Sequence, residues 1–210
     1  VDNGLVYVEG GGGDVTCLKA ETGEVVWTKH LVGDFGGNVP GWGFSESPTI
    51  DGNNVIVTPG GKEGAVVALN KLTGDIVWRS AGVGDKAHYC TAVIVESHGV
   101  RQVITFTGGI GGKKDSGAPA RVIGLDAETG DLLWSYDKSA NRTANVSTPL
   151  FHNNAVFSAS AYGTGGGLAR LTKSADGFTA EPDYFETKIQ NHHGGMVLVD
   201  GFIYGTGSNT

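Results

Sequence analysis

The sequence predicts an all-β chain, part of a β-propeller made of four-stranded antiparallel blades. Three observations predict it. A hairpin motif occurs three times, a second pair of strands recurs four times, and no stretch carries apolar residues at helical spacing over several turns. The hairpin runs from Cys17 to Trp27, from Ala68 to Trp78 and from Gly124 to Trp134. Its pattern is Leu, three residues, Thr-Gly-acid, two aliphatics, Trp. Gly23, Gly74 and Gly130 stand where such a turn calls for positive φ, which costs glycine little. Alternation then puts Val25 with Trp27, Ile76 with Trp78, and Leu132 with Trp134 on one strand face each. Trp27, Trp78 and Trp134 are therefore read as packing anchors of the repeat.

The second motif is a short strand, a turn rich in Asp, Asn and Gly, and another strand. It reads Ser47 to Gly61, Thr91 to Gly109, Ser147 to Ser160, and Gly194 to Gly207. Joined to the hairpin it makes four strands in about 50 residues, the size of a propeller blade. In order, residues 1–29 supply three strands of a first blade, and 47–80 and 91–136 are complete blades. Residues 147–186 form a degenerate blade in which Tyr184 or Phe185 replaces Trp, and 194–210 open a further one. This register predicts that the chain is part of one propeller domain whose remaining blades belong to a longer chain.

Composition narrows the function classes. With 36 Gly the chain is glycine-rich, but the glycines mark turns and show no three-residue period. Fifteen Lys+Arg against 22 Asp+Glu give a charge of -7, without the basic stripe that nucleic acid demands. No apolar run reaches the ~20 residues of a membrane span. No basic and apolar leader pattern is present in this segment. Cys17 and Cys90 lack metal-type spacing and read as small buried apolar residues, with a disulfide left open. Gly108 to Lys114 lacks the spaced first Gly and the Ser/Thr of a phosphate loop, so Lys113, Lys114 and Asp115 read as a solvated tip. Gly163 to Gly167 precedes no helix, so it is no dinucleotide fingerprint.

In a propeller the loop ahead of each first strand opens on one mouth of the central channel. Those loops carry Trp42, Ser45 and Glu46, then Asp85, His88 and Tyr89, then Asn141, Arg142 and Asn145, and lastly Asn191, His192 and His193. The positions are equivalent by repeat yet polar and different in each copy, unlike structural positions. Trp42, Glu46, His88, Tyr89, Arg142, Asn145, His192 and His193 are therefore the candidate ligand-binding residues, with Glu46, Tyr89, Asn145 and His192 expected to converge. The competing reading is that these side chains meet water or bond the backbone, as loop residues do. Adjacent strand residues point to opposite faces, so His192 and His193 are not expected to make a two-histidine metal site. No catalytic residue and no metal ligand set is assigned.

The Leu-xxx-Thr-Gly-acid-xx-Trp hairpin resembles the repeat of the pyrroloquinoline-quinone-type β-propellers. That family holds quinoprotein alcohol and glucose dehydrogenases and the non-enzymatic lipoprotein of outer-membrane barrel assembly. The resemblance implies that each Trp docks its blade on the next, and it implies a periplasmic or secreted bacterial protein. It allows three functions: a binding or scaffold module for a small molecule or protein, an envelope assembly scaffold, or a dehydrogenase using pyrroloquinoline quinone and calcium. The repeat motif serves enzymes and scaffolds alike. The chain lacks the Cys-Cys pair of many such enzymes, and only Glu46 and Asn145 offer themselves as cation ligands. The binding or scaffold reading is therefore preferred.

Overall fold

The computed structural model describes residues 1–108 and 120–207. The solvated tip expected at Lys113, Lys114 and Asp115 lies outside the described residues. The described residues form no helix. They make seventeen strands in five antiparallel sheets. The first sheet is β1 (Leu5–Glu9), β2 (Asp14–Lys19) and β3 (Val25–His30). The second is β4 (Thr49–Asp51), β5 (Asn54–Val57), β6 (Val67–Asn70) and β7 (Ile76–Arg79). The third is β8 (Val93–Ser97), β9 (Val100–Thr107), β10 (Arg121–Asp126) and β11 (Leu132–Tyr136). The fourth is β12 (Leu150–His152), β13 (Ala155–Ser160), β14 (Gly165–Ser174) and β15 (Gly177–Glu186). β16 (Met196–Val199) and β17 (Phe202–Gly205) pair alone. Strands follow one another in chain order within every sheet, as in the blades of a propeller.

The hairpin motif owes its shape to its side chains. The Asn70 carboxamide oxygen accepts from the Leu72 and Thr73 amides, and the Asp126 carboxylate accepts from those of Glu128 and Thr129. The Thr73 hydroxyl donates to Asp75 at 2.7 Å and the Thr129 hydroxyl to Asp131 at 2.9 Å. Gly74 and Gly130 then take φ of 73° and 79° to close the turn. A register shift follows at the same point of each copy, between Cys17 and Leu18, Ala68 and Leu69, and Gly124 and Leu125. This bulge sets each Trp opposite a small residue: Trp27 across from Cys17, Trp78 from Ala68, Trp134 from Gly124. Cys17 is thus a small residue beneath an indole. Both cysteines are free and buried, in different interfaces.

The core lies between sheets. Val55 and Val57 of β5 face the first sheet with Tyr7, Val15 and Trp27, while Ile56 between them faces the third with Val103 and Ile123. Period-two alternation therefore buries both faces of an inner strand. Trp27 donates its Nε1 hydrogen to the Lys71 carbonyl at 3.0 Å, and Trp78 does the same to Ala127 at 3.0 Å. Each indole so fastens one sheet to the turn of the next. Trp134 instead donates to Gln102 of its own sheet. The next hairpin, β14–β15, lacks the Thr-Gly turn, and Tyr184 stands across from Leu168.

Candidate functional site

The loops ahead of the first strands meet at one place. Ser45, Tyr89, Val146 and His192 each stand four positions ahead of the first strand of their sheet, at Thr49, Val93, Leu150 and Met196. All four line a single cavity of about 340 Å3. Trp42, Tyr162 and His193 complete most of its wall. The lining is largely apolar and carries no carboxylate, lysine or arginine. A second cavity of about 340 Å3 lies elsewhere, between the fourth sheet and β16–β17. It is a gap between sheets, framed by Leu150, Phe157, Tyr184 and Ile203.

Flanking positions turn the other way, because extended chain alternates its side chains. Asn145, one place earlier than Val146, is fully buried. Its amide oxygen accepts from the Asn141 N–H at 2.8 Å, and its amide donates to the Asn141 carbonyl at 3.0 Å. Asn191 accepts from Ser147 and donates to the Thr206 carbonyl, latching two neighbouring loops. Glu46, one place after Ser45, is buried and accepts from the Thr58 N–H beside Glu9. Arg142 is exposed and does not line the cavity. Asp85 is buried in an ion pair with Arg121. Of the sequence candidates, then, the structure brings Trp42, Tyr89, His192 and His193 to the cavity. It leaves Glu46, His88, Arg142 and Asn145 outside the lining.

Two rings of the wall meet at each corner. Trp42 and Tyr89 lie 5.7 Å apart at 61°, and Tyr162 and His192 lie 4.8 Å apart at 73°. The His192 and His193 rings are 3.7 Å apart, although neighbouring strand residues should diverge. The reason is that both precede Met196 in a bend, where strand alternation does not apply. Burial and the neighbouring His193 hold His192 below the usual imidazole range. Tyr162 was not a sequence candidate. Counting five places on from Ile56 and from Phe157, which pair with the equivalent Thr49 and Leu150, it takes the place of Gly61. Gly61 has φ 105°, and Tyr162 keeps a left-handed φ of 58° that a bulky side chain rarely adopts. An aromatic residue where the repeat sets glycine was the legible signal.

His88 supports the wall from behind. Its ring stacks on Tyr89 at 5.4 Å, and its Nδ1 accepts from the Asn145 N–H at 3.0 Å. Burial, with the Lys86 charge second, lowers its pKa from 6.5 to about 4. Between those values the unfolded state holds more protons, so stability is full above pH 6.5 and falls with pH through the window. Acidification from pH 7 to 4 should therefore cost the native chain about 3 kcal/mol more than it costs His88→Asn. Parallel stability–pH curves from urea melts of the two proteins would contradict this.

A family model described as "Outer membrane protein assembly factor BamB" matches residues 1–210. The chain belongs to the BamB family. Its fold is similar to that of BamB from Moraxella catarrhalis, with TM-score 0.53 and 17% identity, covering 97% of this chain and 76% of that one. It is also similar to two quinohemoprotein alcohol dehydrogenases. The enzyme from Pseudomonas putida HK5 has TM-score 0.58 and 13% identity, covering 98% of this chain and 37% of that one. The enzyme from Comamonas testosteroni has TM-score 0.57 and 15% identity, covering 98% and 38%. These likenesses show a β-propeller fold for the BamB-family chain. No curated protein matches it. No helix among the described residues is long and apolar enough to cross a membrane.

The BamB-family chain does not present the donor set that a quinone and calcium would need at this cavity. Glu46 faces Glu9 and Thr58, and the Asn145 amide is spent on Asn141. The two candidate cation ligands thus have different partners, and neither lines the cavity. Among the described residues no group of three His, Cys, Asp or Glu is placed to hold a metal ion.

Proposed function

We propose that this BamB-family chain is a binding module of the cell envelope whose ligand enters the channel-mouth cavity. One observation carries the reading. Four positions equivalent by repeat, occupied by Ser, Tyr, Val and His, converge on one cavity instead of repeating one residue type. Such divergence at a shared place suits recognition, whereas the Trp and Gly of the hairpins repeat because packing repeats. The ring-lined, uncharged wall suits an apolar or ring-bearing group on a small molecule or a protein side chain. The family's description as an assembly factor supports an envelope location and a protein partner. A dehydrogenase is the less favoured reading, because the cation ligands are not assembled.

Trp42 reports on the cavity. It is 70% exposed, while Trp27, Trp78 and Trp134 are buried at 8%, 7% and 4%. Titration with the apolar dye 8-anilinonaphthalene-1-sulfonate should quench Trp42 emission. The double variant Tyr89→Ala/His192→Ala should weaken that quenching about tenfold, an effect of about 1.4 kcal/mol. Unchanged affinity in this variant would sink the cavity reading. Dye reduction on adding pyrroloquinoline quinone, calcium and an alcohol would restore the enzyme reading.

A further inference from the structure

The two cavities have equal volume, about 340 Å3, and different chemistry. The gap beside β16–β17 is lined by Leu150, Phe157, Leu168, Leu198 and Ile203 among others. The channel-mouth cavity has no Leu, Ile, Met or Phe among its described lining residues. Its rings are those of Trp42, Tyr89, Tyr162, His192 and His193. Packing alone does not ask for this choice, since the chain has 8 Phe and lines this cavity with none of them. Indole and phenol rings present a negative face that attracts a cation.

The ring angles point the same way. Trp42 meets Tyr89 at 61°, and Tyr162 meets His192 at 73°. Steep corners enclose a rounded group, whereas a flat ligand is held between parallel faces. The wall's most nearly parallel pair, His192 and His193 at 34°, is already in contact at 3.7 Å, so nothing flat enters between them. Tyr162 keeps its corner at a left-handed φ of 58°, a strained conformation retained where the repeat sets glycine.

We propose that the channel-mouth cavity takes a quaternary ammonium group on a free small molecule of the choline class, an inference that rests on the binding reading above. The wall decides the class. A primary ammonium brings three N–H donors that need acceptors, and the wall has no carboxylate for them. A quaternary ammonium donates no hydrogen bond, and ring faces attract it within about 6 Å of their centroids. No Lys or Arg lines the cavity to repel it. Burial, and then the neighbouring His193, lowers the His192 pKa, so at pH 8 that imidazole adds no charge. The net charge of -7 draws cations to the chain. The same lack of Lys and Arg leaves a phosphodiester without a partner, which favours a free cation over a phospholipid headgroup.

Calorimetric titration of the native chain at pH 8 and constant ionic strength tests this, with choline chloride against 3,3-dimethylbutan-1-ol. The alcohol has the same shape, with carbon in place of the charged nitrogen. Choline should bind with a Kd at least about tenfold lower than that of the alcohol. Trp42→Leu should weaken choline about tenfold and leave the alcohol nearly unaffected, a split that loss of apolar surface would not produce. Trp42 is largely exposed, so this variant should fold. A preference undiminished in Trp42→Leu overturns the role of the rings. An alcohol that binds as tightly as choline overturns the cation and leaves the cavity reading standing. Binding of 8-anilinonaphthalene-1-sulfonate without binding of choline does the same. Binding of neither choline, alcohol nor dye defeats both readings. Phosphatidylcholine vesicles that hold the chain more tightly than choline does overturn the free-molecule assignment.

Discussion

Trp78→Ala is expected to lower the unfolding free energy by about 3–5 kcal/mol. The indole lies between the second and third sheets and is 7% exposed. Its ring rests on Gly130, where an added Cβ would come within 2.5 Å of it. Truncation opens a cavity between blades and leaves the Ala127 carbonyl without its donor. Urea unfolding measures the loss, with Trp42→Ala as the control. Trp42 is largely exposed, so its removal should change stability by less than about 0.5 kcal/mol. Equal effects of the two substitutions would contradict the fastening role. Gly130→Ala should also destabilise, through the clash and through its φ of 79°. In the Trp78→Ala background the clash with the indole is gone, leaving the backbone strain and a 3.1 Å approach to the Arg79 carbonyl, so the combined loss should fall short of the sum of the two.

Asp85→Ala should cost a similar amount, about 3–5 kcal/mol, for an electrostatic reason. The Asp85 carboxylate is fully buried. It accepts two hydrogens from Arg121, from Nε at 2.8 Å and Nη2 at 3.1 Å, and a third from the Thr107 hydroxyl at 2.5 Å. This fork ties the loop ahead of the third sheet to β9 and β10. Removing the carboxylate strands a guanidinium that is 19% exposed. The double variant Asp85→Ala/Arg121→Met should recover part of the loss, since no unpaired charge then stays inside. A single variant that costs less than about 1 kcal/mol, or a double that recovers nothing, would show that the ion pair does not hold this loop.

Asp85 also shows where reading the sequence stops. It belongs to the same kind of loop as Tyr89 and is equally polar. Nothing in the local sequence tells that one side chain meets Arg121, 36 positions away, while the other lines a cavity. The hairpins are different. Thr-Gly-acid closes its own turn with hydrogen bonds spanning two to four residues, so the turn, the bulge and the Trp facing a small residue are local consequences. The candidate site was legible as a set of loops, and Trp42, Tyr89, His192 and His193 were found from them. Glu46 and Asn145 belong to the same loops, but a shift of one residue along an extended chain turns a side chain from the cavity to the interior. The pairing of His192 with His193 depended on a bend that the strand pattern does not announce.

What the sequence alone determined is the unit: four strands, a Thr-Gly turn and a docking Trp, repeated. Those features are written in short-range periodicity and turn chemistry, which need no distant partner. What only the tertiary structure decided is which side chains meet. The Trp27 and Trp78 indoles reach turns of the next sheet, four loops bring Ser, Tyr, Val and His to one cavity, and Glu9 comes to lie against Glu46. The physical reason is that a blade buries both faces only against its neighbours. Its long-range contacts are set by how sheets stack around the channel, and that stacking joins residues far apart in the chain.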